Sequence, residues 1–574
     1  MKTFDFTSNR VLNVTEVARL ERIGCELIGQ YNEVIDSISQ QYAKSLSWWS
    51  SSIASRYTYE NSVFDDLALF FLFEKYAAEY DVVIVSCQHM YRLLKAVKNR
   101  KQLNYKIIYK RQWDFKGFVY SKELARLSYR IFTSLIWRIL MLSTPKKKLG
   151  FKKISLIRNF ILPSTEFGLN KDACFPGLYE FLTENEELDV FNLPLLCVKI
   201  REIRKILKKI KADAHHQTIL IDQYLKPLDY CRMAVSSVKS LFISFQRATI
   251  NEYNVGGLLK KDHLSSVGSH MIAALSFYFA IKNLSKSGVE IQKLYSWYEV
   301  QAIDKMTMLS FSRFSPTTLT IGYQGFLESK YLLSVMPSPC EIASNVLPNY
   351  LTTCFMDVYY HFKSCFCNLR VEMAPGFRFN AVSEKRLSKV KKKSTRMLIL
   401  LSLNKQDTAS ILQMLPCVLE ALQENAYEFC IRPHPADMLA VDQVNALCSQ
   451  YDNITRSTSS MQEELNQSDV AFGACTSVML EAVMKGLTVL LYGSRQRLTR
   501  NLFERISSLD DRYELVYTVE QIIQALNKRS RDSVKHFDVS KLLVSTNHET
   551  MTSFMKVGCK QQVGMPNTCD VETT

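Results

Sequence analysis

Cysteine is scarce in this sequence, and its spacing does not indicate a metal site. The chain has 574 residues and 15 cysteines, well below the density of a disulfide-stabilised scaffold. No two cysteines form a C-x-x-C pair, so the sequence shows neither a zinc ribbon nor a thioredoxin-like redox site. This usage is typical of a reducing compartment, and we expect a cytoplasmic protein.

Long apolar runs are also absent. The N-terminus lacks the apolar core of a signal peptide, and no stretch reaches the roughly 18 apolar residues that span a bilayer. The longest apolar segment, residues 131–142, contains Arg138 and is followed by three lysines at 146–148. We interpret it as a buried core helix. The alternative is a helix that lies on an anionic membrane surface, peripheral to the inner membrane.

Internal repeats and low-complexity segments are missing too, which argues against a solenoid. Instead, short apolar segments alternate with helical patterns in the C-terminal third. Strand character is found at residues 397–403, 427–435, 468–477 and 487–493, and near Ile454. Strands that alternate with helices of this length predict a parallel, doubly wound sheet.

A looser alternation precedes this region. The candidate strands there are residues 81–87, 104–110, 152–162, 217–222, 290–299 and 317–325. The sequence therefore predicts an α/β protein with two Rossmann-like domains that face a central cleft. The predicted division is a helical N-terminal extension (1–60), an N-terminal domain with helical insertions (61–375), a C-terminal domain (376–545) and a mobile tail (546–574).

Polar residues follow the predicted strands of the C-terminal domain, where ligands of open parallel sheets bind. Arg432 and His434 leave the end of one strand, and Thr476 and Ser477 lie where the next strand meets a helix. The hydroxyls and free amides of such a helix start can hold phosphate. The candidate phosphate and nucleotide ligands are Arg432, His434, Thr476, Ser477, Glu481 and Ser402.

The segments that contain these residues resemble those of a known protein family. The segment IRPHP, followed by SDVAFGACTSVMLEAVMKGLTVLLYG, resembles the nucleotide-sugar half of bacterial GT-B glycosyltransferases that build surface polysaccharide. It is similar to the pattern of capsule Kdo transferases, polysialyltransferases and CDP-glycerol glycerophosphotransferases. The resemblance implies that His434, Thr476 and Ser477 hold the phosphates of the donor. It departs at Cys475, where a second hydroxyl often stands.

The N-terminal half resembles the acceptor domain of the same group, through WYEVQAIDK (297–305) and TIGYQGF (320–326). The resemblance implies that Tyr323 and Gln324 lie on the acceptor side. Two positions depart from the pattern. Gly325 stands where a histidine is common, and Asn159 stands where an aspartate is often seen.

Glycosyl transfer needs a group that takes the proton of the acceptor hydroxyl. Glu299 is the first candidate, followed by Asp304 and Asp172. No D-x-D motif lies beside these strands and the histidines lack ligand spacing, so we expect neither a catalytic metal nor a cofactor. Arg432, His434 and the amides near Thr476 would stabilise the leaving phosphate.

The charge balance points to a polyanionic partner. Lys and Arg total 72 against 56 acidic residues, a net charge of +16. No nucleic-acid-binding motif is present, so we do not expect a nucleic-acid partner. The resemblance implies a nucleotide sugar, with a weak preference for a CMP- or CDP-linked donor, and a glycan or lipid-linked glycan acceptor. The predicted function is glycosyl transfer to a capsule or lipopolysaccharide O-antigen. Alternatives are polyol-phosphate transfer, a catalytically degenerate scaffold for other polysaccharide assembly enzymes, and, last, sugar-nucleotide epimerisation.

Overall fold

The computed structural model describes most of the chain. The described residues are 2–7, 10–59, 61–110, 116–142, 152–163, 165–268, 270–366, 369–382, 394–402, 404–422, 427–434, 438–509, 511–529 and 538–558. Pro435, the lysines at 146–148, the basic segment 385–393 and the last residues, 559–574, lie outside this set. Their predicted roles stay predictions.

The N-terminal part combines long helices with a small parallel sheet. Its elements are β1 (Thr3–Asp5), α1 (Val14–Gln41), α2 (Leu46–Trp49), α3 (Ser52–Ser55), α4 (Val63–Tyr76), β2 (Val82–Val85), α5 (Gln88–Arg100), β3 (Lys106–Tyr109) and α6 (Lys116–Leu142). The order of the sheet is β1-β2-β3. Residues 1–60 were predicted to be a helical extension, but β1 departs from this because Thr3–Asp5 pairs with the edge of β2.

A six-stranded sheet forms the middle of the molecule. Its region contains β4 (Lys153–Arg158), β5 (Phe160–Ile161), α7 (Leu178–Asn185), β6 (Asp189–Asn192), β7 (Leu195–Leu196), α8 (Ile200–Ala212), α9 (Pro227–Ser240), β8 (Thr249–Ile250), β9 (Tyr253–Asn254), α10 (Gly256–Ser266), α11 (His270–Ser285), β10 (Glu290–Trp297), α12 (Ala302–Phe314), β11 (Leu319–Gln324), α13 (Pro339–Ala343), β12 (Tyr350–Thr353), α14 (Met356–Cys365) and β13 (Val371–Met373). The parallel order is β13-β12-β11-β10-β4-β6. The strand predicted at 217–222 is wrong. Thr218 makes one bridge to Asn192, and a 3-10 turn at Ile221–Tyr224 follows before a second pair can form.

The C-terminal domain has a second six-stranded parallel sheet. Its elements are β14 (Thr395–Leu400), α15 (Lys405–Ala421), β15 (Tyr427–Arg432), α16 (Met438–Gln450), β16 (Ile454–Arg456), α17 (Met461–Gln467), β17 (Val470–Gly473), α18 (Ser477–Met484), β18 (Thr488–Tyr492), β19 (Tyr513–Val516), α19 (Val519–Arg529) and α20 (His548–Met555). The order β16-β15-β14-β17-β18-β19 is the 3-2-1-4-5-6 order of dinucleotide-binding sheets. The predicted α/β class with two Rossmann-like domains, the GT-B arrangement, is confirmed.

The two domains share a buried core. One apolar cluster contains Tyr323 of β11 together with Leu480 of α18. The loop after β18 reaches the N-terminal helices, where the guanidinium of Arg500 lies 2.6 Å from the carboxylate of Asp65 and both side chains are largely buried. These contacts hold the carboxyl edges of the two sheets against each other.

The end of the chain returns to the middle sheet. The backbone amide of Val544 donates to the carbonyl of Cys354 at 3.0 Å, and Phe554 of α20 is fully buried among aromatic rings of the middle domain. The prediction of a mobile tail from residue 546 is therefore wrong for residues 546–558, because a buried aromatic anchor fixes α20.

Helix α6 is less buried than expected. Phe132 and Ile139 are 61% and 65% exposed, whereas Met141 is buried and Leu135 packs against the core, so residues 131–142 have one buried and one exposed face. The interpretation as a buried core helix is right for one face only. An exposed apolar face is what the membrane-surface alternative requires. Among the described residues, no single helix is long and apolar enough to cross a bilayer, although α10 and α11, with a bend of 61° between them, meet that criterion together.

Candidate active site at the carboxyl edges of the two sheets

Each large sheet has one point where the strand order reverses, and ligands of open α/β sheets bind beyond the carboxyl ends of the strands at that point. In the middle sheet the reversal lies between β4 and β10, which are followed by Asn159 and Glu299. In the C-terminal sheet it lies between β14 and β17, which are followed by Ser402 and by residues 474–477. Most of the predicted residues therefore belong to two facing edges.

Glu299 is held by three donors. Its carboxylate accepts hydrogen bonds from Trp297 Nε1 at 2.8 Å, from Gln301 Nε2 at 2.7 Å and from the Tyr57 hydroxyl at 3.3 Å. Burial raises the pKa of Glu299, and the hydrogen bond from Trp297 opposes that rise. The carboxylate is fixed in position and accepts a proton more readily than an exposed glutamate, as a general base should.

A second carboxylate, Glu328, lies close to Glu299. Burial, and after it the charge of Glu299, raises the pKa of Glu328 well above its ordinary range. Its Oε2 atom has no hydrogen-bond partner among the described residues. The sequence analysis did not select Glu328, although it follows the end of β11 by four residues and the strand-end rule would have included it.

Two tyrosines and a cysteine line the boundary between the domains. The rings of Tyr57 and Tyr59 meet edge to face with centroids 5.6 Å apart. Tyr59 is 43% exposed, and desolvation together with the charge of Glu328 raises the pKa of its hydroxyl. Burial, and then Glu328, raises the pKa of the Cys475 thiol of the C-terminal domain. A thiol in this state is a weak nucleophile.

Arg378 interacts with charged residues of both edges, and the sequence analysis did not select it. It belongs to the 3-10 turn Phe377–Val382 after β13, and its guanidinium lies 5.5 Å from the centroid of the Trp297 ring. Burial raises the pKa of both Glu299 and Glu481, and the charge of Arg378 works against both shifts. Arg378 thus places a cation between the predicted base and the predicted donor site.

The donor edge has a helix start that its own side chain does not cap. Thr476 is the N-cap residue of α18, but its side chain makes no capping hydrogen bond. Its buried Oγ1 has no partner among the described residues. Ser477 opens the helix, and one turn further Glu481 accepts a hydrogen bond from Gln462 Nε2 at 3.2 Å. An unpartnered hydroxyl at a helix N-terminus is suited to a phosphate oxygen.

The other donor-side candidates shape the loops around this helix start. Arg432 donates to Ser457 Oγ at 2.9 Å and to the carbonyl of Ser459 at 2.6 Å, which fixes the loop after β16. Ser402 is buried, and its hydroxyl accepts from the amide of Asn404 at 3.2 Å. His434 is half-buried just beyond the end of β15.

Two predicted residues of the middle domain are structural. Asp304 is fully buried, pairs with Arg158 at 2.5 Å and accepts from the backbone amides of Glu299 and Gln301 at 3.0 and 2.9 Å. It therefore holds the Glu299 loop and has no access to a substrate. Tyr323 is fully buried, and its hydroxyl donates to the carbonyl of Pro375 at 2.8 Å. The predictions of catalytic Asp304 and acceptor-side Tyr323 are corrected accordingly.

Asp172 and Gln324 are the other two predicted residues of the middle domain. Asp172 accepts from the amides of Cys174 and Phe175 at 2.7 and 2.8 Å and from the side-chain amide of Asn159. Burial raises its pKa. An aspartate at position 159 would face this carboxylate with a second charge, which gives a physical reason for the asparagine. Gln324 is buried, and its Nε2 has no partner among the described residues.

The described part of the chain contains no group of three or more His, Cys, Asp or Glu side chains arranged to hold a metal ion. The neighbouring His215 and His216 differ in their surroundings. His216 lies 2.8 Å from Asp213 and 3.3 Å from Glu180, whereas the side chain of His215 is exposed. The polar groups at the two edges include carboxylates, hydroxyls, amides and the guanidiniums of Arg378 and Arg432.

Comparison with known proteins gives a fold-level result. No protein-family model matches the sequence, and no curated protein does. Among solved structures, UDP-GlcNAc 2-epimerase from Neisseria meningitidis bound to UDP-GlcNAc has a TM-score of 0.45 at 11% identity, over 71% of this chain and 100% of its own. MnaA from S. aureus in a structure with UDP has a TM-score of 0.44 at 11% identity, over 72% of this chain and 99% of its own. A trehalose 6-phosphate synthase from Burkholderia multivorans has a TM-score of 0.39 at 8% identity, over 71% of this chain and 93% of its own. These similarities are too weak to assign an activity.

Proposed function

We propose that the chain is a glycosyltransferase that moves a sugar from a nucleotide-activated donor to a growing bacterial surface glycan. The observation that carries this proposal is the position of the Thr476 hydroxyl. It is buried and without a partner among the described residues, at a helix start at the reversal point of a 3-2-1-4-5-6 sheet. Two carboxylates with raised pKa values, Glu299 and Glu328, lie on the facing edge.

In this proposal the donor phosphates lie at the start of α18, where the amides, Thr476 and Arg378 balance their charge. Glu299 takes the proton of the acceptor hydroxyl as its oxygen bonds to the anomeric carbon, and the bond from that carbon to the phosphate oxygen breaks. The leaving phosphate keeps the electron pair, and the helix start and Arg378 stabilise it. Glu328 retains its proton beside the ionised Glu299.

The first experiment is a thermal-shift screen against CMP, CDP, UDP and GDP, since a ligand of the folded state raises the melting temperature. We expect one nucleotide to shift the wild-type protein and to shift Thr476→Val less. Glu299→Gln should keep the nucleotide shift and lower donor turnover by about 100-fold or more. If no nucleotide binds, or if Glu299→Gln turns over at the wild-type rate, the proposal is wrong.

Product analysis separates the alternatives. Phosphorus retained in the polymer would indicate polyol-phosphate transfer, and an altered sugar formed without acceptor would indicate epimerisation. Association with partner enzymes in the absence of nucleotide binding would indicate a scaffold. A CMP- or CDP-linked donor, a lipid-linked acceptor and a location at the inner membrane are parts of the same proposal. The exposed apolar face of α6 supports the membrane location.

A further inference from the structure

A cavity of about 900 Å³ lies in the N-terminal part of the molecule. The starts of α5 and α10, the first turns of α6 and residues 242–246 enclose it. None of the edge residues described above, from Glu299 to Thr476, lines it. It is therefore a separate recess, and the proposed transferase reaction leaves it without a role.

One wall of the cavity is apolar. Phe245 and Leu264 are buried in this wall, whereas Phe242 is 80% exposed although it belongs to the lining. A phenyl ring in this position offers apolar surface that the described part of the chain does not cover. The wall is suited to a hydrocarbon chain.

The cavity lining is also cationic, and its cations adjoin the apolar side chains, since the Lys260 ammonium lies 5.9 Å from the centroid of the Phe245 ring. Lys122, Arg126, Lys260 and Lys261 line the cavity, and Glu123 is the single carboxylate among the lining residues. The Lys260 ammonium donates to the carbonyls of Leu241 and Ile243, and burial lowers its pKa to about 8, so it stays largely charged at neutral pH. The lining therefore carries an excess of three positive charges, which favours an anion.

Two helix starts add to this potential. Gln88 and His89 begin α5, and Gly256 and Gly257 begin α10, and all four residues line the cavity. A side chain at position 257 would have its Cβ 2.3 Å from the His89 ring, so this glycine permits the two helix starts to approach each other. The amide of Gly256 already donates to Asn254 Oδ1 at 3.0 Å, so the helix starts contribute mainly the positive ends of two helix dipoles.

Glu123 provides an independent indication of a ligand. Its side chain is 5% exposed, and its Oε1 pairs with Arg126 at 2.6 Å. The buried Oε2 atom has no partner among the described residues. A buried carboxylate oxygen in this state needs a hydrogen-bond donor. A phosphate monoester that keeps one P–OH group supplies that donor and carries anionic oxygens for the surrounding cations.

We propose that this cavity binds a lipid monophosphate, that is, one phosphate monoester on an apolar chain. The phosphate would face the cations and the two helix starts, and the chain would lie along Phe242, Phe245 and Leu264. This proposal does not depend on the transferase function. It predicts that both halves of the ligand are needed, because the lining offers apolar surface and cations side by side.

Calorimetric titration of the full chain tests this. The probes are octyl phosphate, octanol and inorganic phosphate, so that headgroup and chain are measured apart. We expect octyl phosphate to bind at least about tenfold more tightly than either of the other two. Equal affinity for octyl phosphate and octanol would overturn the anionic half, and equal affinity for octyl phosphate and inorganic phosphate would overturn the apolar half.

Two variants connect the binding to this cavity. Lys122→Glu and Phe242→Ser alter exposed side chains of the lining, and each should weaken octyl phosphate binding by about tenfold or more. Their matched controls, Lys205→Glu on α8 and Tyr360→Ser on α14, change exposed residues outside the cavity and should bind as the wild type does. If the cavity variants bind like their controls, the proposal is wrong. Nucleotide thermal shifts should be unchanged in all four, which keeps this test separate from that of the transferase.

Discussion

The reversal point of the middle sheet has two layers that differ in how their polar groups are paired. In the inner layer, Arg158 and Asp304 neutralise each other at 2.5 Å and neither is more than 1% exposed, while Arg158 Nε and Nη2 have no hydrogen-bond partner among the described residues. In the outer layer, Glu328 Oε2 and Gln324 Nε2 have no partner among the described residues. Buried polar atoms without partners are rare in native proteins unless a ligand or water satisfies them. Because its charges compensate each other, the inner layer maintains the fold, whereas the outer layer, in which Glu328 lies beside the like charge of Glu299, is available for chemistry.

The largest expected effect comes from breaking the inner layer. Asp304→Asn removes the charge that compensates Arg158, and an uncompensated buried charge costs about 3 to 5 kcal/mol. We expect the midpoint of urea unfolding to fall by a corresponding amount. The control is Glu166→Gln, whose ion pair with Lys171 has exposed partners and should leave the unfolding midpoint nearly unchanged. Equal stability of the two variants would show that the inner layer is not structural.

The contrast between Asp304 and Glu299 also marks what the sequence could and could not predict. Glu299 was selected at a strand end and Asp304 as a second carboxylate behind it, and the sequence places them five residues apart. Only the structure shows that Asp304 turns inward to the backbone amides of Glu299 and Gln301. Strand-end reasoning finds the right loop, but it cannot determine which carboxylate the loop buries.

The C-terminal sheet was easier to predict than the rest. Its strands from β14 to β18 are short apolar runs bounded by polar loops, and the predicted segments match them. The residues that were missed, Arg378 and Glu328, depend on long-range packing. Arg378 reaches the site because a 3-10 turn passes between the domains, and no local pattern in the sequence signals that path. The same holds for α20, which crosses back to the middle domain.

The second prediction concerns the packing at Gly325, which follows Gln324 of the outer layer in the sequence. A Cβ at Gly325 would lie 2.3 Å from the ring of the buried Tyr323, so Gly325→Ala should destabilise the fold by about 1 to 3 kcal/mol through overpacking. This contact also explains why a larger residue does not stand at position 325. Gly29→Ala in α1 is the control, because its Cβ meets no atom within 4 Å and alanine favours the helix. Urea unfolding should show opposite signs for the two variants.

The third prediction compares a paired hydroxyl with an unpaired one. Thr476→Val removes a hydroxyl that has no partner among the described residues, so the free energy of unfolding should change by less than about 0.5 kcal/mol. Thr307→Val removes a buried hydroxyl that donates to the carbonyl of Ile303 at 2.7 Å and should cost about 1 kcal/mol. Nucleotide affinity should fall about tenfold in Thr476→Val and should not change in Thr307→Val. A marked loss of stability in Thr476→Val would assign this hydroxyl to the fold.

The last prediction concerns His216, a polar group that pairs with Glu180 of α7 and with Asp213 after α8. Its hydrogen bond to Glu180, helped by Asp213, raises the pKa of His216 from 6.5 to about 8. Because the folded-state pKa is raised, the stabilisation is fully present below about pH 6.5 and is lost as the pH rises through about 8. His216→Gln should therefore lower the free energy of unfolding by about 1 to 2 kcal/mol at pH 6 and by much less at pH 9.

The exposed neighbour gives the control variant His215→Gln, which should show no such dependence. A loss of equal size at both pH values would mean that the imidazole contributes by packing against Tyr179, whose ring it meets at 4.5 Å, and not by its charge.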